Sequence, residues 1–244
     1  MENPALFYSV AALAVFIAGI SKGGFGGALG MISTPAIAML VHPLTAAAIM
    51  LPCLLAMDVL GLWRFRAHWQ IKLLLPVLPG AALGIGVASL LVDVLSQQQW
   101  LLVTGLTILG LVVLSRLQPH PIASQRLRGF GWGSLAGLTS FIVHAGAPPL
   151  HQYLLREQLE RRSFVATSFI FFFAVNSMKL PPYISTGMLD ADTARISLYL
   201  IPAGLVGVMV GEHILSRFNA AQFRHLIQTL IILSGITLTI KGLV

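Results

Sequence analysis

The chain has 244 residues, of which 57% are hydrophobic and only 9% are charged. A soluble domain carries roughly 25% charged residues, so the composition excludes a soluble globular protein and indicates a polytopic membrane protein. The net charge of +7 lies mainly in short loops, which the positive-inside rule explains without nucleic acid, and the single Cys53 excludes an intramolecular disulfide or a thiolate metal cluster.

A series of apolar segments follows in chain order, and all are expected to be helices because isolated strands leave backbone groups unpaired in lipid. The segments are Ala5–Ile20, Ala28–Val41, Leu44–Phe65, Leu73–Val92, Trp100–Leu117, Gly129–Val143, Pro149–Leu155, Ser163–Leu180, Ala194–Leu215 and Phe223–Leu243. The first, second and seventh are shorter than the roughly 20 residues of a full span, and they flank glycine-rich breaks. The first has no basic flank or cleavage motif, so we interpret it as a retained segment rather than a signal peptide.

The first break, Ser21–Pro35, holds Lys22 among glycines. Irregular backbone and a cation are both costly inside a bilayer unless protein or a cavity covers them, so the break predicts an anion site. The candidate anion-binding residues of this break are Lys22, Gly23, Gly24, Phe25, Gly26, Gly27, Ser33 and Thr34. Two alternatives stay open: Lys22 extends to the outer interface, and the two hydroxyl residues simply cap the following helix.

The second break, Ser140–Pro149, adds His144, Ala145 and Gly146 to the candidate site. Pro35 in the first break, and Pro148 or Pro149 in the second, suit the first turn of a following helix. Each tip would then direct a helix N-terminus, which binds anions, toward the bilayer midplane. His144 is a ligand donor, a protonatable gate, or a core histidine bonded to a carbonyl.

Polar residues inside long apolar segments form a second candidate group. Asp58 either pairs with Arg64 or caps a break, or it couples protons or tethers Lys22. Asn176 occupies the corresponding position in a later segment. Lys179 either extends to the outer interface or lies on the substrate path.

The polar linker Gln118–Arg128 divides the chain into two halves. Matching residues in the two halves predict an internal repeat, with residues 1–117 and 129–244 as the repeats of one membrane domain spanning 1–244. Matching residues of the two halves are 123 positions apart in Pro79/Pro202, Gly84/Gly207, Val87/Val210, Gln99/Gln222 and Trp100/Phe223. They are 118 positions apart in Ala56/Ala174, Asp58/Asn176 and Leu62/Leu180. They are 113 positions apart in Gly24/Gly137 and Pro35/Pro148. Placing the basic loops inside makes the halves antiparallel. The sequence thus predicts an all-α protein of two inverted repeats, each a re-entrant broken hairpin plus three spans, about eight hydrophobic segments in all.

The stretch GISKGGFGGALGMISTPAIAML, the later HAGAPPLHQYLL and the four-plus-four layout resemble the TauE/SafE family of sulfite-exporter-like permeases, the TSUP group, over essentially the whole chain. The resemblance implies a multi-pass permease of the bacterial inner membrane. It also implies sulfur-containing anions, such as sulfite and organosulfonates, as substrates. The second break differs from the family pattern, with His144 and fewer glycines.

We therefore expect a secondary transporter, with export favoured, of sulfite or a short organosulfonate held near the midplane between the two tips. A passive anion channel and a structural subunit of a membrane complex are the alternatives. Enzyme, Walker and metal motifs are missing from the sequence, so we expect no catalytic activity, metal or cofactor. The expected partners are a small anion, the lipid bilayer and, as an alternative to a monomer, a second copy of the chain; nucleic acid is not expected.

Overall fold

The computed structural model describes residues 4–28, 30–91, 94, 96–117, 124–141 and 143–243. Within these residues every regular element is a helix, as the composition predicts. The helices are α1 Pro4–Phe25, α2 Gly30–Ala38, α3 Pro43–Arg64, α4 Ile71–Leu74, α5 Val77–Leu91, α6 Gln97–Leu117, α7 Gln125–Phe141, α8 Ala147–Arg156, α9 Arg161–Ser185, α10 Ala191–Leu215 and α11 Ala220–Leu243. Most of the predicted linker, residues 118–123, lies outside the described part of the chain.

Five of the described helices, α1, α3, α9, α10 and α11, are long and apolar enough to cross a membrane by length and composition. The first of them differs from the prediction, since α1 continues through Phe25 and reaches 22 residues instead of ending at Ile20. Lys22, Gly23 and Gly24 therefore lie inside the last turns of a helix. Glycine lowers helix propensity by only about 1 kcal/mol, which close packing against a neighbouring helix readily offsets.

The described residues form two compact units, and each contains helices from both predicted halves of the chain. Unit 1 comprises Met1–Gln70 and Glu160–Phe218, and therefore holds α1, α2, α3, α9 and α10. Unit 2 comprises Ile71–Leu159 and Asn219–Val244, with α4 to α8 and α11.

In unit 1, α1 and α10 run in the same direction and approach to backbone contact. A Cβ atom added at Gly19 would clash with the carbonyl oxygen of Gly204, and a Cβ atom added at Gly207 would clash with the carbonyl oxygen of Phe16. Small residues at a helix interface allow this approach, and they are a common means of helix association in membranes.

In unit 2, α7 and α5 pack in the same way. A Cβ atom at Gly137 would meet the carbonyl oxygen of Ala81, and one at Gly84 that of Ser134. The glycines at these four positions thus have a packing role.

The N-terminus of α10 has a capping box outside its apolar stretch. The Asp190 carboxylate accepts a hydrogen bond from the backbone N–H of Thr193 at 2.8 Å. This bond, together with the Thr193 hydroxyl, holds the pKa of Asp190 below its usual value. The cap fixes the start of a helix whose other end carries Glu212, described below.

Candidate functional site

Three helices of unit 1 bring their polar side chains to one buried cluster. Lys22 comes from the last turn of α1, Asp58 from α3, and Asn176 and Lys179 from α9. The two α9 residues are three positions apart, so they share one face of that helix. All four are at most 5% exposed. We call them the polar cluster.

Asp58 is the centre of the polar cluster because both of its carboxylate oxygens are bonded. The ammonium group of Lys22 forms an ion pair with Oδ1. The side-chain amide of Asn176 donates to Oδ2 at 2.7 Å. The sequence leaves several roles open for Asp58. The one that the structure contains is the interaction with Lys22, which holds the lysine in place.

The pairing of Asp58 with Arg64 does not occur. Arg64 instead forms an ion pair with Glu212 of α10. These two side chains are 31% and 19% exposed, in contrast to the fully enclosed Asp58. The physical reason is helix geometry: Arg64 is six residues after Asp58, which places the two side chains on different faces of α3.

Lys22 has further contacts that fix its position. Its Nζ atom lies 3.5 Å from the backbone oxygen of Leu54 and 5.2 Å from the ring centroid of Phe172, a cation–π distance. The ammonium group is enclosed by α1, α3 and α9, so extension of Lys22 to the outer interface does not occur. Phe172 was not among the predicted site residues, although its spacing of four from Asn176 indicates the same helix face.

Lys179 is fully buried, so of its two alternatives the extension to the outer interface does not occur. The helix α9 continues past Lys179 through Pro181 and Pro182 to Ser185, so this lysine is well inside the helix and not at its end. Lys179 lies close enough to Asp58 and Lys22 to interact with both electrostatically. The polar cluster thus contains two lysines and one aspartate.

The tip of the first break is a short turn directly after α1. Gly26 and Gly27 adopt φ angles of 61° and 93°, the left-handed region that favours glycine. The backbone N–H of Gly27 donates to the oxygen of Ser21 at 2.9 Å and closes the turn. Leu29, which follows in this break, lies outside the described residues.

Three other residues assigned to the first tip pack within unit 1. A Cβ atom at Gly23 would lie on the carbonyl oxygen of Val208, and one at Gly24 would approach that of Gly211. Phe25 is buried edge-to-face on Phe218, with ring centroids 5.9 Å apart. The prediction that these two glycines bring backbone to a ligand is therefore replaced by a packing role.

Ser33 and Thr34 are buried within α2. They are the fourth and fifth residues of that helix, so the alternative that they cap its N-terminus is wrong. Among the described residues, the Ser33 hydroxyl has no hydrogen-bond partner. Pro35 is likewise inside α2 and not in its first turn, in contrast to the prediction.

The second tip lies in unit 2 and is more regular. His144 is buried and adopts a φ of 53°, and Ile142 lies outside the described residues. The N–H of Ala145 donates to the backbone oxygen of Thr139 at 3.1 Å, and the Thr139 hydroxyl donates to the Ala145 oxygen at 3.0 Å. Gly146 caps α8, where a Cβ atom would crowd Ser140 and the oxygen of Ala136.

The prolines of the second tip start α8 as predicted, with Pro148 and Pro149 following its first residue. The polar cluster belongs to unit 1 and the second tip to unit 2. The expectation that both tips share one anion therefore stays a prediction. Within the described residues, no group of three His, Cys, Asp or Glu side chains could hold a metal ion.

The regular elements of the described residues are all helices, and several of them are long enough to cross a membrane. Together with a buried cluster of two lysines and one aspartate, they define a polytopic membrane protein with a polar site in its interior. The model of the sulfite exporter TauE/SafE family matches residues 11–238 of the chain. The chain belongs to this family, and it is accordingly a membrane transporter of the sulfur-anion exporter type and not an enzyme. No curated protein and no solved structure matches it.

Proposed function

We propose that the protein is a secondary transporter that exports a small sulfur-containing anion, sulfite or a short organosulfonate, across the bacterial inner membrane, and that the polar cluster binds this anion. The observation that carries the proposal is the burial of two lysines, Lys22 and Lys179, beside a single aspartate in the interior of unit 1. A nearby negative charge favours the charged form of a buried lysine. A bound anion would supply that charge.

The donors around the polar cluster suit an oxyanion. An ammonium group has three N–H bonds, and Lys22 directs two toward Asp58 and the Leu54 oxygen, which leaves one for a ligand. The hydroxyl of Ser33 is buried in α2, a helix that packs against α1 and α3, and it has no partner in the described part of the chain. In our proposal it is a further donor to the anion. Charge-assisted bonds of this kind are the strong ones.

An inverted repeat, the architecture common in secondary transporters, is supported first by the two tips. Gly26 and His144 both have a left-handed backbone, and they are 118 residues apart. The turns are closed by equivalent bonds, from Gly27 to Ser21 and from Ala145 to Thr139. The tips are therefore related by 118 residues and not by the 113 residues expected. The same spacing of 118 residues separates Asp58 and Asn176.

The second half of each repeat supports the spacing of 123 residues. The Gln99 side chain accepts from the N–H of Ser96, and the Gln222 side chain accepts from the N–H of Asn219. The reciprocal bonds to the N–H groups of Gln99 and Gln222 are also present. The glycine contact of α1 with α10 is equivalent to that of α7 with α5, because residues of α1 and α7 are related by 118 positions and residues of α5 and α10 by 123 positions.

The contact between Asp58 and Asn176 supports the inverted sense of the repeat. Phe65 and Phe169 also stack, 5.5 Å apart, so α3 and α9 run antiparallel. Equivalent residues of a two-fold repeat touch only at the two-fold axis. In our proposal the polar cluster therefore lies on the pseudo-symmetry axis, with the carboxylate on one side and its uncharged counterpart on the other.

Anion binding to the purified protein tests the proposal. We expect sulfite or ethanesulfonate, and not acetate, to raise the melting temperature of the wild type, because a ligand bound only by the folded state stabilises it. The decisive variant is Lys22→Ala/Asp58→Asn, which removes the Lys22 donor together with the carboxylate that pairs with it. Equilibrium dialysis should give an affinity at least about tenfold weaker for this variant, a loss of about 1.4 kcal/mol.

Lys72→Ala is the matched control, because Lys72 is an exposed lysine of α4 in unit 2. It should bind as the wild type does. Unchanged binding by the double variant would locate the site elsewhere, and no binding of any sulfur anion by the wild type would contradict the proposed function.

A further inference from the structure

A groove opens on the surface of unit 2, between the start of α5 and the start of α7. Its cavity volume is about 380 Å³, within the range of roughly 300–1,000 Å³ that small-molecule sites occupy. Four apolar side chains and one arginine line it: Leu75, Pro76, Pro79, Phe130 and Arg126. A site of this composition suits an amphiphile, a molecule with an apolar body and a charged end.

The packing of α7 on α5 forms the groove and places its arginine. A Cβ atom at Gly129 would clash with the ring of Pro76. The later glycines of α7 meet later residues of α5, so the two helices run in the same direction and both begin at the groove. Arg126 and Phe130 are four residues apart and share one face of α7, which gives that face a charged and an apolar part.

The charge around the groove has one sign. The charged residues of α4, α5 and α7 are all cations: Lys72, Arg126 and Arg128. Neither ion pair among the described residues involves Arg126. Glu157, the one acid of unit 2 in the described part of the chain, accepts a bond from the Gln125 side chain at 3.1 Å. Gln125 and Arg126 are consecutive, so their side chains leave α7 in different directions.

The groove lies at the basic end of this helix pair. The positive-inside rule predicts that this end is at the inner face of the membrane, where anionic phospholipids give the surface a negative potential. The apolar wall is accessible from outside the chain, since Leu75 is 65% and Phe130 is 40% exposed. The positive ends of two helix dipoles add to the attraction for a negative group.

We propose that this groove binds an anionic phospholipid, with the phosphate bonded to Arg126 and an acyl chain packed against Leu75, Pro79 and Phe130. A guanidinium group suits this role because its N–H groups bond two phosphate oxygens at once. A free phosphate ion shares the chemistry of the headgroup but makes no use of the apolar wall. The inference does not depend on the polar cluster of unit 1 or on the anion proposed there.

The test titrates one of two lipids into the full-length protein in neutral detergent and counts the bound lipids by native mass spectrometry. Phosphatidylglycerol is anionic, and phosphatidylcholine has no net charge. The wild type should bind its first phosphatidylglycerol at least about fivefold more tightly than its first phosphatidylcholine. Inorganic phosphate at the same concentration should not compete, because it lacks an acyl chain.

Four variants assign the preference to the groove. Arg126→Gln should lose it, and Arg126 is exposed, so the fold is expected to persist. Arg162→Gln is the matched control and should keep it, since Arg162 is also exposed and is also the second residue of its helix, α9. Leu75→Ser should weaken phosphatidylglycerol binding by removing part of the apolar wall. Leu90→Ser, which changes an exposed leucine near the other end of α5, should not.

Equal affinities of the wild type for the two lipids, or a preference that survives Arg126→Gln, would overturn the inference. Loss of the preference in Arg162→Gln would also overturn it, because the basic surface in general would then account for the binding. Competition by inorganic phosphate would show a phosphate site and no lipid site. Sulfite binding at the polar cluster is measured separately, so neither proposal falls with the other.

Discussion

Replacing Lys22 with Met is expected to lower the free energy of unfolding by about 3 kcal/mol, because it leaves the Asp58 carboxylate buried without its ion-pair partner. We expect the lower end of the range for broken buried pairs, since Asn176 still donates to the other carboxylate oxygen. Reversible unfolding in mixed micelles measures the change. Asp58→Asn in the same chain should recover part of the loss, because an amide costs less to bury than a carboxylate that has lost its direct ion-pair partner.

Arg64→Met is the comparison for this prediction. It breaks an ion pair of the same unit whose side chains are 31% and 19% exposed. Pairs accessible to solvent contribute only about 0–1 kcal/mol, so the effect should be clearly smaller. A double variant Lys22→Met/Asp58→Asn as unstable as Lys22→Met alone would show that the cost does not come from burying Asp58 without its direct ion-pair partner.

Gly19→Ala is expected to destabilise the protein by about 2 kcal/mol, because the new Cβ atom would lie on the carbonyl oxygen of Gly204 and force α1 away from α10. Gly137→Ala should have an effect of similar size in unit 2, where the obstructing atom is the carbonyl oxygen of Ala81. Thermal or denaturant unfolding of the purified variants measures both losses of stability.

Gly86→Ala provides the matched control in a helix. Apart from the adjacent backbone of its own helix, no atom of the described residues lies within 4 Å of a Cβ added at Gly86. Alanine has the higher helix propensity by about 1 kcal/mol, so this variant should be as stable as the wild type or more so. Equal losses for all three substitutions would mean that glycine flexibility, and not the close helix contact, accounts for the effect.

The helical class of this protein followed directly from its composition, but the exact position of the first break did not. Glycine has two uses, to adopt a positive φ or to admit a neighbouring helix, and the sequence alone does not distinguish them. Gly26 and Gly27 serve the first use, while Gly23 and Gly24 serve the second. The break consequently begins about one helical turn later than the run of glycines suggests.

The tether between Lys22 and Asp58 was one of the open alternatives because both are costly in a bilayer and each lowers the cost of the other. For Lys179 the sequence left both the outer interface and the substrate path open, because this lysine is one residue before the predicted end of its segment at Leu180. The continuation of α9 through Pro181 and Pro182 places Lys179 in the interior. Phe172 was likewise hidden in a run of aromatic residues that suggests packing alone.

Exchange of radiolabelled sulfite in proteoliposomes tests the central claim most directly. Vesicles that contain the wild type and are preloaded with unlabelled sulfite should take up the label with saturable kinetics, as expected of a carrier. Vesicles with Lys22→Ala/Asp58→Asn should take up no more than protein-free vesicles. Flux that follows the membrane potential without saturating would indicate a channel, and wild-type uptake no greater than that of protein-free vesicles would contradict the account.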